Sequence, residues 1–114
     1  MKIVEKNITI DELKEMSRKM FGNLIKAVVD IKKGIMAVDA ELHSDEEALL
    51  LENSSKQENL WGINIYPELF GKDDFIEFDS MINLRPSQNN RSRGVDNPEI
   101  RKKILEITNK LISK

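Results

Sequence analysis

Ten residues, Arg85-Pro86-Ser87-Gln88-Asn89-Asn90-Arg91-Ser92-Arg93-Gly94, hold three of the chain's five arginines and no acidic residue. Guanidinium groups present planar forks of donors that match a carboxylate or a phosphate. The amides of Asn83, Asn89 and Asn90 add donors and acceptors that grip without reacting. Asn83, Arg85, Asn89, Asn90, Arg91 and Arg93 are therefore the candidate site for a small anionic ligand. The same residues also suit an internal role, and that is the preferred reading. Arg85 would pair with Asp79, Asp39 or Glu41 across a sheet, and the asparagines would bond the backbone of an irregular loop.

A second group surrounds the chain's one histidine. Asp39, Glu41 and His43 stand at i, i+2 and i+4, which on a strand projects them from one face about 7 Å apart per step. Carboxylates and imidazole together bind divalent metals, and Glu47 joins them if a helix starts near His43. These four are the candidate metal ligands of a metal-dependent hydrolase. The spacing counts against them unless the side chains converge, and Lys26 is a facing partner for Glu41. His43 alone suits a general base. However, the chain has no cysteine and no serine in a nucleophile-elbow setting. A lone histidine at a strand end more often bonds the backbone.

The remaining signals are structural. Trp61, the only tryptophan, shares strand parity with Ile63 and Ile65 and is expected in the core. Gly62 marks a bulge or a close backbone approach, and Asn64 faces the other way. No P-loop, dinucleotide fingerprint or zinc spacing is present. The basic residues are not interleaved with aromatics, so nucleic acid is not an expected partner.

The elements that must position these groups follow from periodicity and capping. Residues 1–5 fit a short edge strand. Thr9 and Glu12 form a capping box, with Ile8 and Leu13 as its hydrophobic staple. Leu13, Met16, Met20 and Phe21 continue a helical stripe that Gly22 stops. Residues 24–31 and 35–42 read as a β-hairpin turning at Lys33-Gly34. Setting Lys32 opposite Ile35 pairs Ile31 with Met36, Val29 with Val38, Ala27 with Ala40 and Ile25 with Leu42. One face is then wholly apolar, while Lys26 meets Glu41 on the other.

Ser44-Asp45-Glu46-Glu47 looks like a capping signature before Ala48-Leu49-Leu50-Leu51, which predicts a short helix over 45–52, with a strand as the alternative. Leu60 to Tyr66 is a strand closed by Pro67. Residues 75–85 alternate as a long strand, with Ile76, Phe78, Ser80, Ile82 and Leu84 on one face. Pro86 ends it. Asp96 or Asn97 caps a last helix that opens on Pro98 and carries Ile100, Ile104, Ile107 and Leu111 in one stripe. The order is β-α-β-β-(α)-β-β-α. It predicts an α+β fold over residues 1–114 as a single domain: a mostly antiparallel four- or five-stranded sheet with two main helices packed on one face. The opposite face would carry Asp39, Glu41, Glu77, Asp79, Asn83 and Arg85.

Composition narrows the setting. Hydrophobic residues make up 39% and charged residues 33% of 114, which is enough for one core and too apolar for disorder. There is no long apolar run for a membrane span and no signal-peptide pattern at the N-terminus. Together with the lack of cysteine, this is compatible with a cytoplasmic protein. The net charge is −2, made of +3 over residues 1–33, −10 over 34–84 and +5 over 85–114. The simplest explanation is a set of solvated faces that attract one another.

Several residues together resemble a family of small uncharacterised prokaryotic proteins, classed as a domain of unknown function. They are His43-x-Asp45-x-Glu47, Leu49-Leu50-Leu51, Gln57-x-x-Leu60-Trp61-Gly62 and Ile82-Asn83-Leu84-Arg85-Pro86-x-Gln88-x-Asn90, followed by the helix after Asn97-Pro98. The resemblance spans most of residues 24–113. This chain has Asn53-Ser54-Ser55 where a glycine-containing turn is expected. The resemblance implies no activity, substrate, cofactor or catalytic residue. The resulting expectation is an uncharacterised protein, foremost a non-catalytic small binding or interaction domain with homodimerisation as one use of its surface. The anion binder and the metal-dependent hydrolase are the alternatives.

Overall fold

The structure, a computed structural model, describes all 114 residues. Ten regular elements follow one another: β1 (Lys2–Val4), β2 (Ile8–Thr9), α1 (Ile10–Lys19), β3 (Ile25–Asp30), β4 (Ile35–Val38), α2 (His43–Glu52), β5 (Leu60–Ile65), β6 (Ile76–Glu77), α3 (Pro98–Leu111) and β7 (Ile112–Ser113). Five strands form an antiparallel sheet in the order β1-β4-β3-β5-β6. A separate parallel pair, β2 with β7, ties the start of α1 to the end of α3. The α+β class and the antiparallel sheet are as the sequence implies.

The helix ends form where the sequence marks them. Thr9 accepts from the Glu12 N–H and Glu12 accepts from the Thr9 N–H, so the capping box is complete. The Asn97 side chain caps α3 by accepting from the Glu99 N–H at 2.8 Å, and Pro98 occupies the first turn. Strand parity is also as expected. Ala27, Val29, Met36, Val38, Trp61, Ile63 and Ile65 line one face and share a core with Ile10 and Leu13 of α1 and with Ile104 and Leu111 of α3.

Three features differ from expectation. First, the hairpin register is displaced by two residues: Val29 pairs with Met36 and Ala27 with Val38. The cause is Asp30. Its carboxylate accepts from the N–H groups of Lys32 and Lys33, each at 2.9 Å, and its carbonyl accepts from Gly34. This closes a four-residue loop instead of a two-residue turn. A shift of two keeps each side chain on its own face, so the apolar face survives. β4 then ends at Val38, because Asp39 adopts a left-handed conformation with φ 71°. Lys26 and Glu41 are accordingly not an ion pair.

Second, the other face of the sheet is not a bare polar surface. α2 covers it, packing Leu50 against Val28, Ala37 and Leu60. The buried positions of α2 are His43, Glu46 and Leu50, a helical stripe that a glutamate disguises. Ser44 is not the cap. Leu42 is the cap residue, and no side chain caps the helix. At its far end the N–H of Ser54 bonds the Leu51 carbonyl and that of Ser55 bonds the Leu50 carbonyl, a Schellman arrangement. Ser54 sits at its left-handed position with φ 75°, where the turn favours glycine.

Third, residues 75–85 are not one strand. Pairing stops at Glu77, and short helical turns follow at Met81–Asn83 and Pro86–Gln88. A side chain takes over the pairing. Asn83 Oδ1 accepts from the Gly62 N–H at 2.8 Å, and Asn83 Nδ2 donates to the Gly62 carbonyl at 2.9 Å. One amide thus replaces a strand at that point of β5.

Gly62 makes this approach possible. A Cβ built there would lie 2.6 Å from both Cβ and Oγ of Ser80, and 3.2 Å from Cδ2 of His43. Gly62→Ala is expected to cost about 1–3 kcal/mol by overpacking, read as a lower urea midpoint; an unchanged midpoint would show that the contact yields freely. Ser54→Gly is expected to raise stability by about 0.5–1 kcal/mol by relieving the left-handed residue, measured in the same titration.

Candidate functional site

The Arg85–Gly94 segment is organised inward. Arg85 is 9% exposed and its guanidinium stacks 4.1 Å from the centroid of the Trp61 ring. Nη1 donates to the Gln57 carbonyl at 2.6 Å and to Gln88 Oε1 at 3.1 Å, while Nη2 donates to the Leu60 carbonyl. Burial lowers its pKa, opposed by the charge of Glu47. Neither an acid of the sheet nor open solvent is its main partner. Asn90 Nδ2 donates to the carbonyls of Asn83, Ser92 and Gly94, and its Oδ1 accepts from the Asp96 N–H. Asn83 is occupied by Gly62 and by the Arg93 carbonyl. Asn89 is an exposed left-handed residue with φ 61°. Arg91 is exposed, and its N–H bonds Asp96 at 2.9 Å. Asp96 has a lowered pKa, chiefly from the Ser92 hydroxyl and then the Arg91 N–H. Arg93 Nε pairs with Asp79 Oδ1 at 2.8 Å. The six candidate residues do not converge on one point.

The candidate metal ligands also stand apart. Asp39 lies in its left-handed turn, Glu41 is exposed, His43 opens α2, and Glu47 is half-buried near Arg85. No three histidine or carboxylate side chains are grouped to hold an ion. The i, i+2, i+4 geometry required a strand through His43, and Asp39 ends that strand.

The structure groups other residues around His43. Its ring is 8% exposed and Nε2 lies 2.7 Å from the Ile63 carbonyl. A carbonyl only accepts, so Nε2 carries the proton and Nδ1 keeps a lone pair. Burial is the largest influence and lowers the His43 pKa. The Ile63 carbonyl and Asp79 oppose this, while Lys26 and Arg93 reinforce it. The ring is neutral at physiological pH. His43 forms one wall of a cavity of about 150 Å³, together with Lys26, Ser44, Ser80 and Arg93. Leu42, Met81 and Ile82 complete it, and no acidic residue lines it. The first turn of α2, left without a side-chain cap, opens at the same place; the Asp45 N–H bonds the Leu42 carbonyl at 3.2 Å, and the N–H groups of His43 and Ser44 precede the first intrahelical bond.

Larger depressions offer less. One of about 420 Å³ beside Trp61 is walled by Gln88, Asn90, Asp96 and Asn97, whose polar atoms largely bond one another and the backbone. One of about 330 Å³ lies between the 70–76 segment and α3, with Lys72 and Asp73 on its wall.

Lys26, Ser44, Ser80 and Glu46 were not among the sequence candidates for a site. Glu46 was legible in principle, because a helix starting at His43 places positions 43, 46 and 50 in one stripe. It is completely buried, with Oε2 accepting from the Ala40 N–H at 3.2 Å and Oε1 unpartnered. Burial pushes its pKa up to about 10; the Ala40 N–H and Lys26 only partly offset this, and Asp39 and Asp45 add to it.

Fold and site together define a small α+β domain with a half-enclosed polar pocket at the start of a helix. No helix is long and apolar enough to cross a membrane. The chain belongs to DUF5674, a family of proteins of unknown function, which matches residues 2–111. No curated protein and no solved structure matches it significantly.

The state of Glu46 is open to measurement. Unfolded, the carboxyl loses its proton above the usual range near pH 4.5; folded, it holds the proton to about pH 10. The folded state therefore loses stability as pH rises between those values, and is unpenalised below them. Glu46→Gln is expected to gain more at pH 8 than at pH 5, by on the order of 2–4 kcal/mol in urea unfolding. An equal effect at both pH values would mean that the carboxyl is not held protonated.

Proposed function

We propose that this domain is a non-catalytic binding module that takes a small anion, a carboxylate or a phosphate, in the pocket at the start of α2. The observation that carries the reading is the wall of that pocket: two cationic side chains, Lys26 and Arg93, two hydroxyls, Ser44 and Ser80, and no acid. Helix N-termini add a favourable partial charge at such a place. Asp79, which does not line the pocket, is the ion-pair partner of Arg93 at 2.8 Å and restrains it. Of the three arginines in the 85–94 segment, Arg93 is the one on this wall, while Arg85 serves the packing of Trp61.

Neither pocket hydroxyl is hydrogen-bonded to the free Nδ1 of His43, so no nucleophile–base pair is set up. Ser80 Oγ accepts from the Ile82 N–H at 3.3 Å, and the Nε2 proton of His43 is held by Ile63. The metal-dependent hydrolase would need Asp39, Glu41, His43 and Glu47 to move together. The family resemblance is what supports a prokaryotic source, and a cysteine-free chain is compatible with a cytoplasmic setting. A homodimer would have the outer edge of β1, Lys2–Val4, available for strand pairing.

A thermal-shift series with phosphate, acetate, citrate and divalent cations tests the reading. An anion at 100 times its dissociation constant is expected to add about 2.7 kcal/mol, seen as a raised Tm. Arg93→Ala and Lys26→Ala are expected to abolish the shift, and Arg91→Ala to leave it. An anion shift that persists in the Lys26→Ala, Arg93→Ala double variant, or no anion shift at all, overturns the assignment.

A further inference from the structure

The pocket is small beside the apolar rim around it. Its volume of about 150 Å³ admits a single anionic group, whereas pockets for drug-sized ligands span about 300–1,000 Å³. Leu42 and Met81, which line it, are 53% and 63% exposed. Phe21, 41% exposed, extends the rim on one side, with its ring centroid 5.2 Å from Lys26 Nζ. Large apolar side chains left open beside a charged pocket mark a contact surface. Methionine suits such a surface because its side chain adapts to its partner.

The charge narrows the occupant. Lys26 has no ion-pair partner, while Arg93 is matched by Asp79. The occupant therefore meets a net charge of roughly one, which balances one carboxylate better than a phosphate dianion. Leu42, Met81 and Phe21 keep much of their surface open beside the space that this carboxylate fills, so they suit an occupant whose remainder is apolar and lies outside the pocket.

We infer that this face docks an acidic, apolar peptide segment of a partner protein. One aspartate or glutamate carboxylate enters between Lys26 and Arg93, and neighbouring apolar side chains cover Leu42, Met81 and Phe21. The inference rests on the anion-binding reading of the same pocket and adds the class of its ligand.

Selection of a displayed random heptapeptide library on the full chain tests it. Enriched sequences are expected to carry an acid flanked by apolar residues. A synthetic consensus peptide is expected to bind at least tenfold more weakly to Lys26→Ala and to Met81→Glu. Replacing its acid by the amide is expected to cost the same. Enriched peptides without an acid, or no enrichment over Met81→Glu, overturn the inference. A concentration-dependent dimer of the 13.1 kDa chain that Met81→Glu dissolves also overturns it, since a second copy then holds this face. Acetate is carried through the same variants. An acetate shift that survives in Met81→Glu without peptide enrichment overturns the peptide alone; neither acetate shift nor enrichment overturns both readings.

Discussion

The bare backbone of Gly62 is the constraint on which the second face of the sheet depends. β5 is an interior strand next to the edge, paired with β3 on one side and briefly with β6 on the other. Beyond Ile76–Glu77 the β6 side of β5 would be an open edge with unpaired amides in a buried place, which is costly. The Asn83 side chain supplies both a donor and an acceptor at Gly62. It reaches them because Ser80 and His43 press onto a residue that has no Cβ. The turn at 80–83, the seat of His43 and the floor of the pocket all follow from that contact.

The arginine-rich segment shows the same economy on a larger scale. A stacked guanidinium beside Trp61 covers the indole while its donors satisfy the carbonyls of Gln57 and Leu60. Those carbonyls belong to the turn and strand start at residues 57–60, so Arg85 joins the start of β5 to the segment that follows β6. Lysine would not replace it, because a point charge has neither the flat face nor the fork. Asn90 does for the far end of the loop what Asn83 does for β5, gathering three carbonyls and one N–H around a single side chain.

Much of the fold was legible in local signals. The box at Thr9 and Glu12, the Asn97-Pro98 start of α3 and the parity of β3, β4 and β5 depend on residues near one another in sequence. The hairpin register was not, since a two-residue turn and a four-residue loop share the same parity, and the choice fell to the carboxylate of Asp30. The long strand over 75–85 failed because alternation reports which face a side chain suits, not whether its backbone has a partner. Asn83, one of the residues that fitted the pattern, is what interrupts it. α2 hid its face for a related reason. Glu46 reads as a solvated charge in sequence, yet in place it is a neutral carboxyl packed with His43 and Leu50. Which arginine of the 85–94 segment faces inward was not legible either, because it depends on where Trp61 lies.

That division between arginines has an energetic logic. Arg85 is buried and bonds the turn and strand start at residues 57–60, so its removal would leave the buried Leu60 carbonyl without this donor. Arg93 and Asp79 are about half exposed, at 56% and 43% for their side chains, and such pairs contribute about 0–1 kcal/mol. The fold hardly needs that pair. Its consequence is local: one bond to Asp79 at 2.8 Å restrains the Arg93 side chain, which lines the pocket with Lys26. A restrained side chain that contributes little to stability is the kind on which the proposed binding can rest. Within one ten-residue segment, the arginine that stabilises the fold and the arginine that lines the pocket are therefore different residues, separated by which of them reaches Trp61.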